Sequence, residues 1–193
     1  MKKILMGTLA AAILAAGNAF AAPDPLQDAG ITIAATYDGA ASGMLGMDDN
    51  FGGSNISHID PSGNVEFITA DWTFGVGFST SGLVTIYNNS GSTLIAPPNT
   101  SMSFDFSVPG GTTLSKMSGI TLLDFSVLDQ GTPVLTLVGA DKVNIDLSNV
   151  SWSASFTPIT AQINFASPVP EPSAPLMLLV GIAGIGLASR KRG

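Results

Sequence analysis

Residues 102–108 read Met102-Ser103-Phe104-Asp105-Phe106-Ser107-Val108, and this stretch carries the clearest strand pattern of the chain. Apolar and polar side chains alternate along it, which is the pattern of a β-strand with one buried face and one exposed face. The pattern predicts that the four apolar residues point into a core and that Asp105 points into solvent. Pro109-Gly110-Gly111 follows directly and predicts the end of the strand, because proline cannot donate a hydrogen bond to a sheet.

The same period of two recurs along most of the chain up to residue 165. Predicted strands lie within residues 65–78, 83–87, 123–127, 134–138, 143–147, 150–156 and 159–165. Trp72 and Phe156 fall on the apolar side of two of these strands. Turn sequences such as Asn88-Asn89-Ser90-Gly91 separate the strands. Short alternating strands with such turns are typical of an antiparallel β-sandwich or barrel, and we predict the sandwich.

Residues 22–64 carry weaker signals. Ile31-Thr32-Ile33 predicts one short strand. A Gly-rich loop then contains Asp48, Asp49 and Asn50, with Asp60 a little further on. Calcium prefers hard oxygen ligands of this kind, so these four residues predict a weak calcium site. Their spacing is not that of an EF-hand, and an ordinary solvated loop is the alternative.

The N-terminal 21 residues are typical of a secretory signal peptide. Lys2 and Lys3 precede an apolar run at residues 4–16, and Ala19 and Ala21 supply the small side chains that signal peptidase requires. We therefore predict cleavage after Ala21 and export of the remainder. The complete absence of cysteine means that the exported part cannot be held by disulfides and needs a packed core.

The C-terminal end combines three elements in a fixed order. Val169-Pro170-Glu171-Pro172 comes first, and its prolines favour an extended peptide that continues neither a helix nor a central strand. The uncharged apolar residues 174–188 follow, long enough for roughly 22 Å of helix against a hydrocarbon core of roughly 30 Å. The basic residues Arg190-Lys191-Arg192 come third and would hold that end in the cytoplasm.

This order of elements resembles the PEP-CTERM sorting signal of exosortase substrates in Gram-negative bacteria. The resemblance divides the chain into a signal peptide (residues 1–21), a β-sandwich ectodomain (22–167) and a sorting signal (168–193) with one transmembrane helix. It implies that an exosortase recognises Val169, Pro170, Glu171 and Pro172 and removes the tail. It also implies passage through the inner membrane and delivery to the cell surface or the exopolysaccharide matrix. The alternative is a proline-rich spacer before an ordinary membrane anchor.

Charge limits the partners of the ectodomain. Five of the seven basic residues lie in the two terminal segments, which leaves Lys116 and Lys142 against thirteen acidic residues and a net charge of −11. Such a surface repels phosphate backbones, so we expect no nucleic-acid partner.

Little in the chain indicates catalysis. His58 is the sole histidine and Glu66 is the sole glutamate of the ectodomain. No nucleophile elbow is present, and we predict no enzyme activity and no cofactor beyond the calcium. The sequence favours a structural or matrix-associated role. A carbohydrate-binding or adhesive module is the alternative, and a small hydrolase with two convergent carboxylates is a further one.

Overall fold

The computed structural model describes residues 25–26, 30–48, 50, 52–59, 65–108 and 116–166. The predicted signal peptide with Ala19 and Ala21, the proline site at 169–172, the apolar segment at 174–188 and the basic residues 190–192 lie outside these ranges. Within the described ranges, no helix has the length and apolar character needed to cross a membrane.

The described residues form β-strands and one short 3-10 turn, as the all-β prediction requires. In chain order the elements are β1 (Thr32–Tyr37), the 3-10 turn (Ala41–Gly43), β2 (Met44–Gly46), β3 (Ile56–His58), β4 (Phe67–Thr69), β5 (Phe74–Phe78), β6 (Leu83–Asn88), β7 (Leu94–Ile95), β8 (Ser101–Ser107), β9 (Met117–Asp124), β10 (Leu128–Gln130), β11 (Val134–Val138), β12 (Lys142–Asp146), β13 (Ser151–Trp152) and β14 (Pro158–Phe165).

The strands pair into two large antiparallel sheets and one small one. One large sheet has the order β11-β12-β8-β1-β3, and the other has the order β2-β4-β5-β6-β14-β9. The small sheet has the order β10-β13-β7. Every strand pair described is antiparallel, as predicted.

Strand β8 confirms the prediction made from its alternation. Met102, Phe104 and Phe106 are buried, whereas Asp105 is exposed. The strand is central in its sheet, because it pairs with β1 on one side and with β12 on the other. A central strand cannot shift its register without moving its apolar face into solvent, so this pattern orients the whole sheet.

Aromatic rings join the two large sheets. The ring centroids of Phe67 and Phe104 are 5.6 Å apart, those of Phe78 and Phe104 are 5.0 Å apart, and those of Phe78 and Phe106 are 5.3 Å apart. Phe67 and Phe78 belong to the six-stranded sheet, and the other two rings belong to β8. The tilted and edge-on geometries are those that aromatic pairs prefer, so the two inner faces share one core.

Two predicted strands are shorter than their alternation suggested. Residues 65–78 form a hairpin of β4 and β5, and Trp72 lies in its turn with 59% of its surface exposed. Strand β13 ends at Trp152, and Phe156 lies beyond it with 62% of its surface exposed. The prediction that these two rings lie on apolar strand faces is therefore wrong. Alternation alone does not reveal where a chain reverses direction.

The predicted strand at residues 123–127 is also different in the structure. Strand β9 ends at Asp124, and Leu123 and Phe125 are exposed. The register of β9 against β14 shifts at this point, where Ala161 faces Leu122 and Thr160 faces Asp124. Ile120 and Leu122 pack against the core, so alternation along the strand places Leu123 on the outer face. The bulge leaves Leu123 without a partner on β14. Leu123 and Phe125 line a cavity of about 420 Å³ on this edge.

The described chain enters and leaves the fold at one end. The backbone N–H of Leu26 donates to the carbonyl of Thr80 over 2.9 Å, and the N–H of Ala166 donates to the carbonyl of Lys116 over 2.9 Å. Thr80 precedes β6, Lys116 precedes β9 and Ala166 follows β14. Because β14 is antiparallel to both β6 and β9, these positions lie at the same end of the sheet. We call this the tail-side end.

The opposite end of the fold, which we call the distal end, consists of residues 38–40, 70–73, 89–92 and 153–157. These segments follow β1, join β4 to β5, follow β6 and precede β14. The ring of Tyr37, at the end of β1, lies 6.4 Å from that of Phe74, at the start of β5, so both large sheets contribute to this end. The eight residues of β14 separate the two ends by about 26 Å.

Candidate functional site

Asp48 and Asn50, two of the four predicted calcium ligands, form a local turn. Oδ1 of Asp48 accepts hydrogen bonds from the backbone N–H and the side-chain amide of Asn50, each over 2.8 Å. Oδ2 of Asp48 lies 2.7 Å from Nδ1 of His58 on the edge strand β3. The N–H of Asn50, and then the contact with His58, hold the pKa of Asp48 below its ordinary value. Both carboxylate oxygens are therefore engaged within the protein.

The other two predicted calcium ligands, Asp49 and Asp60, lie outside the described residues. The residues that are described contain no group of three or more acidic or histidine side chains that could hold a metal ion. The calcium site stays a prediction. A melting temperature unchanged by millimolar calcium would contradict it.

Glu66 lies inside the fold. Only 2% of its surface is exposed, and its Oε2 accepts a hydrogen bond of 2.6 Å from the backbone N–H of Phe78. Phe78 lies beyond the last residue of β5 that pairs with β4, so the carboxylate takes the place of a missing strand carbonyl. The environment is that of a buried, hydrogen-bonded carboxylate rather than of a group facing a cleft.

The outer face of the five-stranded sheet carries a row of polar side chains. The strand register places Thr136 opposite Asn144, Asn144 opposite Ser103, and Ser103 opposite Thr36. The hydroxyl of Ser103 donates to Oδ1 of Asn144. These residues and the exposed Val134 line a groove of about 360 Å³. The groove offers hydroxyls and amides to a ligand but no aromatic ring.

Trp72 is held by the turn between β4 and β5. Its N–H donates to the carbonyl of Thr69 over 2.8 Å. The buried hydroxyl of Thr69 accepts hydrogen bonds of 3.0 Å from the N–H groups of Thr73 and Phe74, and it donates to Oδ1 of Asp71 over 2.6 Å. The backbone of Trp72 has φ +62°, a left-handed conformation that hairpin turns ordinarily give to glycine or asparagine. The turn therefore holds an indole where a small residue is usual.

Phe156 is held in a similar way before β14. Its N–H donates to the carbonyl of Asn88 over 2.8 Å, and its φ is +59°. Asn88 is fully buried and uses all of its side-chain hydrogen-bonding capacity. Its amide nitrogen donates to the carbonyls of Ser92 and Ala154, and its Oδ1 accepts from the N–H and the hydroxyl of Ser90. This buried asparagine therefore joins the loop at residues 89–92 to the loop at residues 153–157, which contains Phe156.

The distal end is acidic. Burial acts to raise the pKa of Asp71, but the hydrogen bonds from Thr69 and Thr73 outweigh it and hold that pKa below its ordinary value. Burial, followed by the carboxylates of Asp71 and Asp38, raises the pKa of the Tyr37 phenol. At neutral pH the Asp71 carboxylate is therefore charged and the Tyr37 phenol is neutral.

Sequence reasoning missed the exposure of Trp72 and Phe156, although one signal was available. Asp71 interrupts the apolar pattern immediately before Trp72, and aspartate favours turns because its side chain bonds to nearby backbone N–H groups. That residue could have indicated the hairpin. No comparable local signal precedes Phe156. Its loop is held by the hydrogen bond between Asn88 and Ala154, and these two residues lie 66 positions apart along the chain.

The described residues define an all-β protein, and the sequence that follows them carries information about sorting. Residues 168–192 match the family model described as the PEP-CTERM protein-sorting motif. The chain thus carries a PEP-CTERM sorting motif, which implies processing by an exosortase and direction to the cell surface. No match was found among curated proteins or among solved structures.

Proposed function

We propose that the protein is a non-enzymatic, structural or matrix-associated component of the surface of a Gram-negative bacterium. In this proposal signal peptidase cleaves after Ala21, and residues 174–188 hold the chain in the inner membrane. An exosortase then cuts within the tail and passes the ectodomain to the surface or to the exopolysaccharide matrix, as a biofilm component. The match of residues 168–192 to the sorting motif is the observation that carries this proposal.

The folded part supports a role that needs durability outside the cell. The shared aromatic core between the two large sheets leads us to assign the ectodomain to the β-sandwich class. The chain has no cysteine, so redox conditions outside the cell cannot alter it through disulfide exchange. Glu66 is buried against backbone, which supports a binding or structural role over hydrolysis.

The sorting step is tested by replacing Pro170, Glu171 and Pro172 with alanine. The apolar segment supplies the insertion energy, so the variant should still enter the inner membrane. Processing should stop, because an extended Pro-Glu-Pro peptide is what the enzyme would recognise, and the full-length chain should accumulate in the membrane fraction. Ser173→Ala is the matched control and should be processed normally. Cell fractionation and mass spectrometry of the C-terminus measure both outcomes.

The decisive contrary result concerns the wild-type protein. A surface-localised chain that still ends in Arg190-Lys191-Arg192-Gly193 would contradict sorting by cleavage and leave a plain membrane anchor. Loss of membrane insertion in the triple variant would show that these residues act in targeting rather than in processing.

A carbohydrate-binding or adhesive module is the second candidate function. The polar groove on the outer face of the five-stranded sheet favours it, because Thr36, Ser103, Thr136 and Asn144 present donors and acceptors in one row. Replacing Asn144 by alanine should weaken retention on polysaccharide gels if this groove holds the ligand. Unchanged retention would exclude the groove.

A further inference from the structure

Two exposed aromatic residues have strained backbones. Five residues other than glycine have positive φ in the described part of the chain: Asp38, Trp72, Asn99, Asn149 and Phe156. Aspartate and asparagine tolerate this conformation, whereas a bulky aromatic residue in it is an outlier. Backbone strain of this kind persists only where surrounding contacts impose it, and such outliers cluster at ligand-binding positions.

Trp72 and Phe156 are anchored to the same short segment. The side chain of Asn89 donates to the carbonyl of Trp72 over 3.0 Å, and the carbonyl of Asn88 accepts from the N–H of Phe156 over 2.8 Å. The two rings therefore belong to turns that flank the end of β6 on opposite sides. With strands spaced about 4.8 Å apart, their backbones lie about 10 Å from each other.

The pair lies at the end of the fold opposite Ala166, the last described residue. Both rings belong to the distal end, and residue 168, where the motif starts, follows Ala166 at the tail-side end by two positions. The two described lysines lie toward the tail-side end, since Lys116 contacts Ala166 and Lys142 follows the loop that meets β9. The distal end carries the carboxylates of Asp38 and Asp71 instead.

We propose that Trp72 and Phe156 form a binding platform for a neutral polysaccharide chain. Sugar rings have apolar C–H faces edged by hydroxyl groups. The exposed aromatic rings of Trp72 and Phe156 would cover such faces, and the segment that follows β6 joins the two turns that hold them. This inference rests on the proposed surface role, because the platform would meet an extracellular polymer only if the protein is delivered to the surface.

The charge of the distal end and the exposed area of the two rings favour a neutral polysaccharide over a polyanionic chain and over a second copy of the protein. The distal carboxylates repel a polyanionic chain. A second copy of the protein needs about 800 Å² of contact surface on each partner. Two aromatic side chains exposed by 59% and 62% offer only about 250 Å². A linear chain that stacks on two rings needs no larger surface.

The test uses the full chain in detergent and affinity electrophoresis in gels that contain one polymer each. Hydroxyethyl cellulose, dextran and galactomannan are the neutral probes, alginate is the anionic probe and chitosan is the cationic probe. The wild type should be retarded by at least one neutral polymer and not by alginate. Trp72→Asn and Phe156→Asn should each weaken retention by at least about tenfold, because each removes one stacking ring.

Matched variants distinguish a loss of polysaccharide binding from a loss of folding. Asparagine accepts the left-handed backbone, so both variants should keep a melting temperature close to that of the wild type. Val138→Asn removes a comparably exposed apolar side chain from another surface and should bind as the wild type does. The chain has two tryptophans, and Trp152 has no hydrogen-bond partner for its Nε1 among the described residues. Trp152→Phe therefore loses no hydrogen bond and leaves Trp72 as a single fluorescent reporter of the platform.

Several outcomes would overturn the platform. Retention by no neutral polymer, equal weakening by Val138→Asn, or salt-sensitive retention by chitosan alone would each do so. Self-association that Trp72→Asn abolishes would assign the rings to a second copy instead. C-terminal processing is scored separately, in cells that carry an exosortase. A platform that fails in a normally processed protein leaves the sorting function intact, and failed processing with intact binding does the reverse.

Discussion

The interior between the two large sheets and the distal end both concentrate aromatic rings, but different forces hold the rings in the two places. Phe78 and Phe104 lie 5.0 Å apart with almost no exposed surface, on strands with ordinary extended backbones. Trp72 and Phe156 are exposed by 59% and 62%, on backbones with positive φ. Interior rings are held by burial, whereas the distal rings are held by hydrogen-bonded turns.

This difference indicates that the distal end is organised for a purpose other than stability. Burial of an interior ring stabilises the fold directly, because apolar surface leaves water. The distal rings leave most of their surface in water and add backbone strain. The buried Thr69 and Asn88 offset that strain with complete hydrogen-bond sets. Mutations in the two regions should therefore differ in size and in cause.

The largest effect is expected in the interior. Phe104→Ala should lower the free energy of unfolding by about 3–5 kcal/mol, since it leaves a cavity between Phe67 and Phe78. The exposed neighbour Asp105 provides the control, and Asp105→Asn should change stability by less than about 0.5 kcal/mol. Urea denaturation of both variants measures this difference. Equal and small effects would mean that the assigned faces of β8 are wrong.

An intermediate effect is expected where the distal turns are tied together. Asn88→Ala removes the four hydrogen bonds of a fully buried side chain, which should cost about 2–3 kcal/mol. Asn89→Ala removes the bond to the carbonyl of Trp72 and should cost about 1 kcal/mol or less. Thermal and urea unfolding compare the two. If both variants lost the same stability, Asn88 would not be the residue that ties the loops.

The smallest effect is expected at Trp72 itself. Trp72→Asn loses the part of the ring that is covered but relieves backbone strain, so stability should change by no more than about 1 kcal/mol. Trp72→Val loses a similar area and retains the strain, so it should be less stable than Trp72→Asn by about 1–2 kcal/mol. The difference in stability between the two variants measures the free energy of backbone strain at residue 72. Identical curves would show that the left-handed turn is not strained in solution.

Two features of this protein could be predicted from local sequence. The alternation around Phe104 predicted which side of β8 is buried, because a strand places successive residues on opposite faces. The prolines, apolar run and basic end of the tail predicted the sorting motif now matched at residues 168–192. Neither feature depends on residues that are distant in the chain.

The all-β class, the orientation of the central strand and the presence of the sorting motif could therefore be read from the sequence. Tertiary structure alone decided that Glu66 is buried against Phe78 and that Trp72 and Phe156 stand exposed at one end. The physical reason is that periodicity describes one strand at a time. Whether a side chain is covered depends on segments far apart in sequence, such as Asn88 and Ala154, that meet only when the sheets assemble.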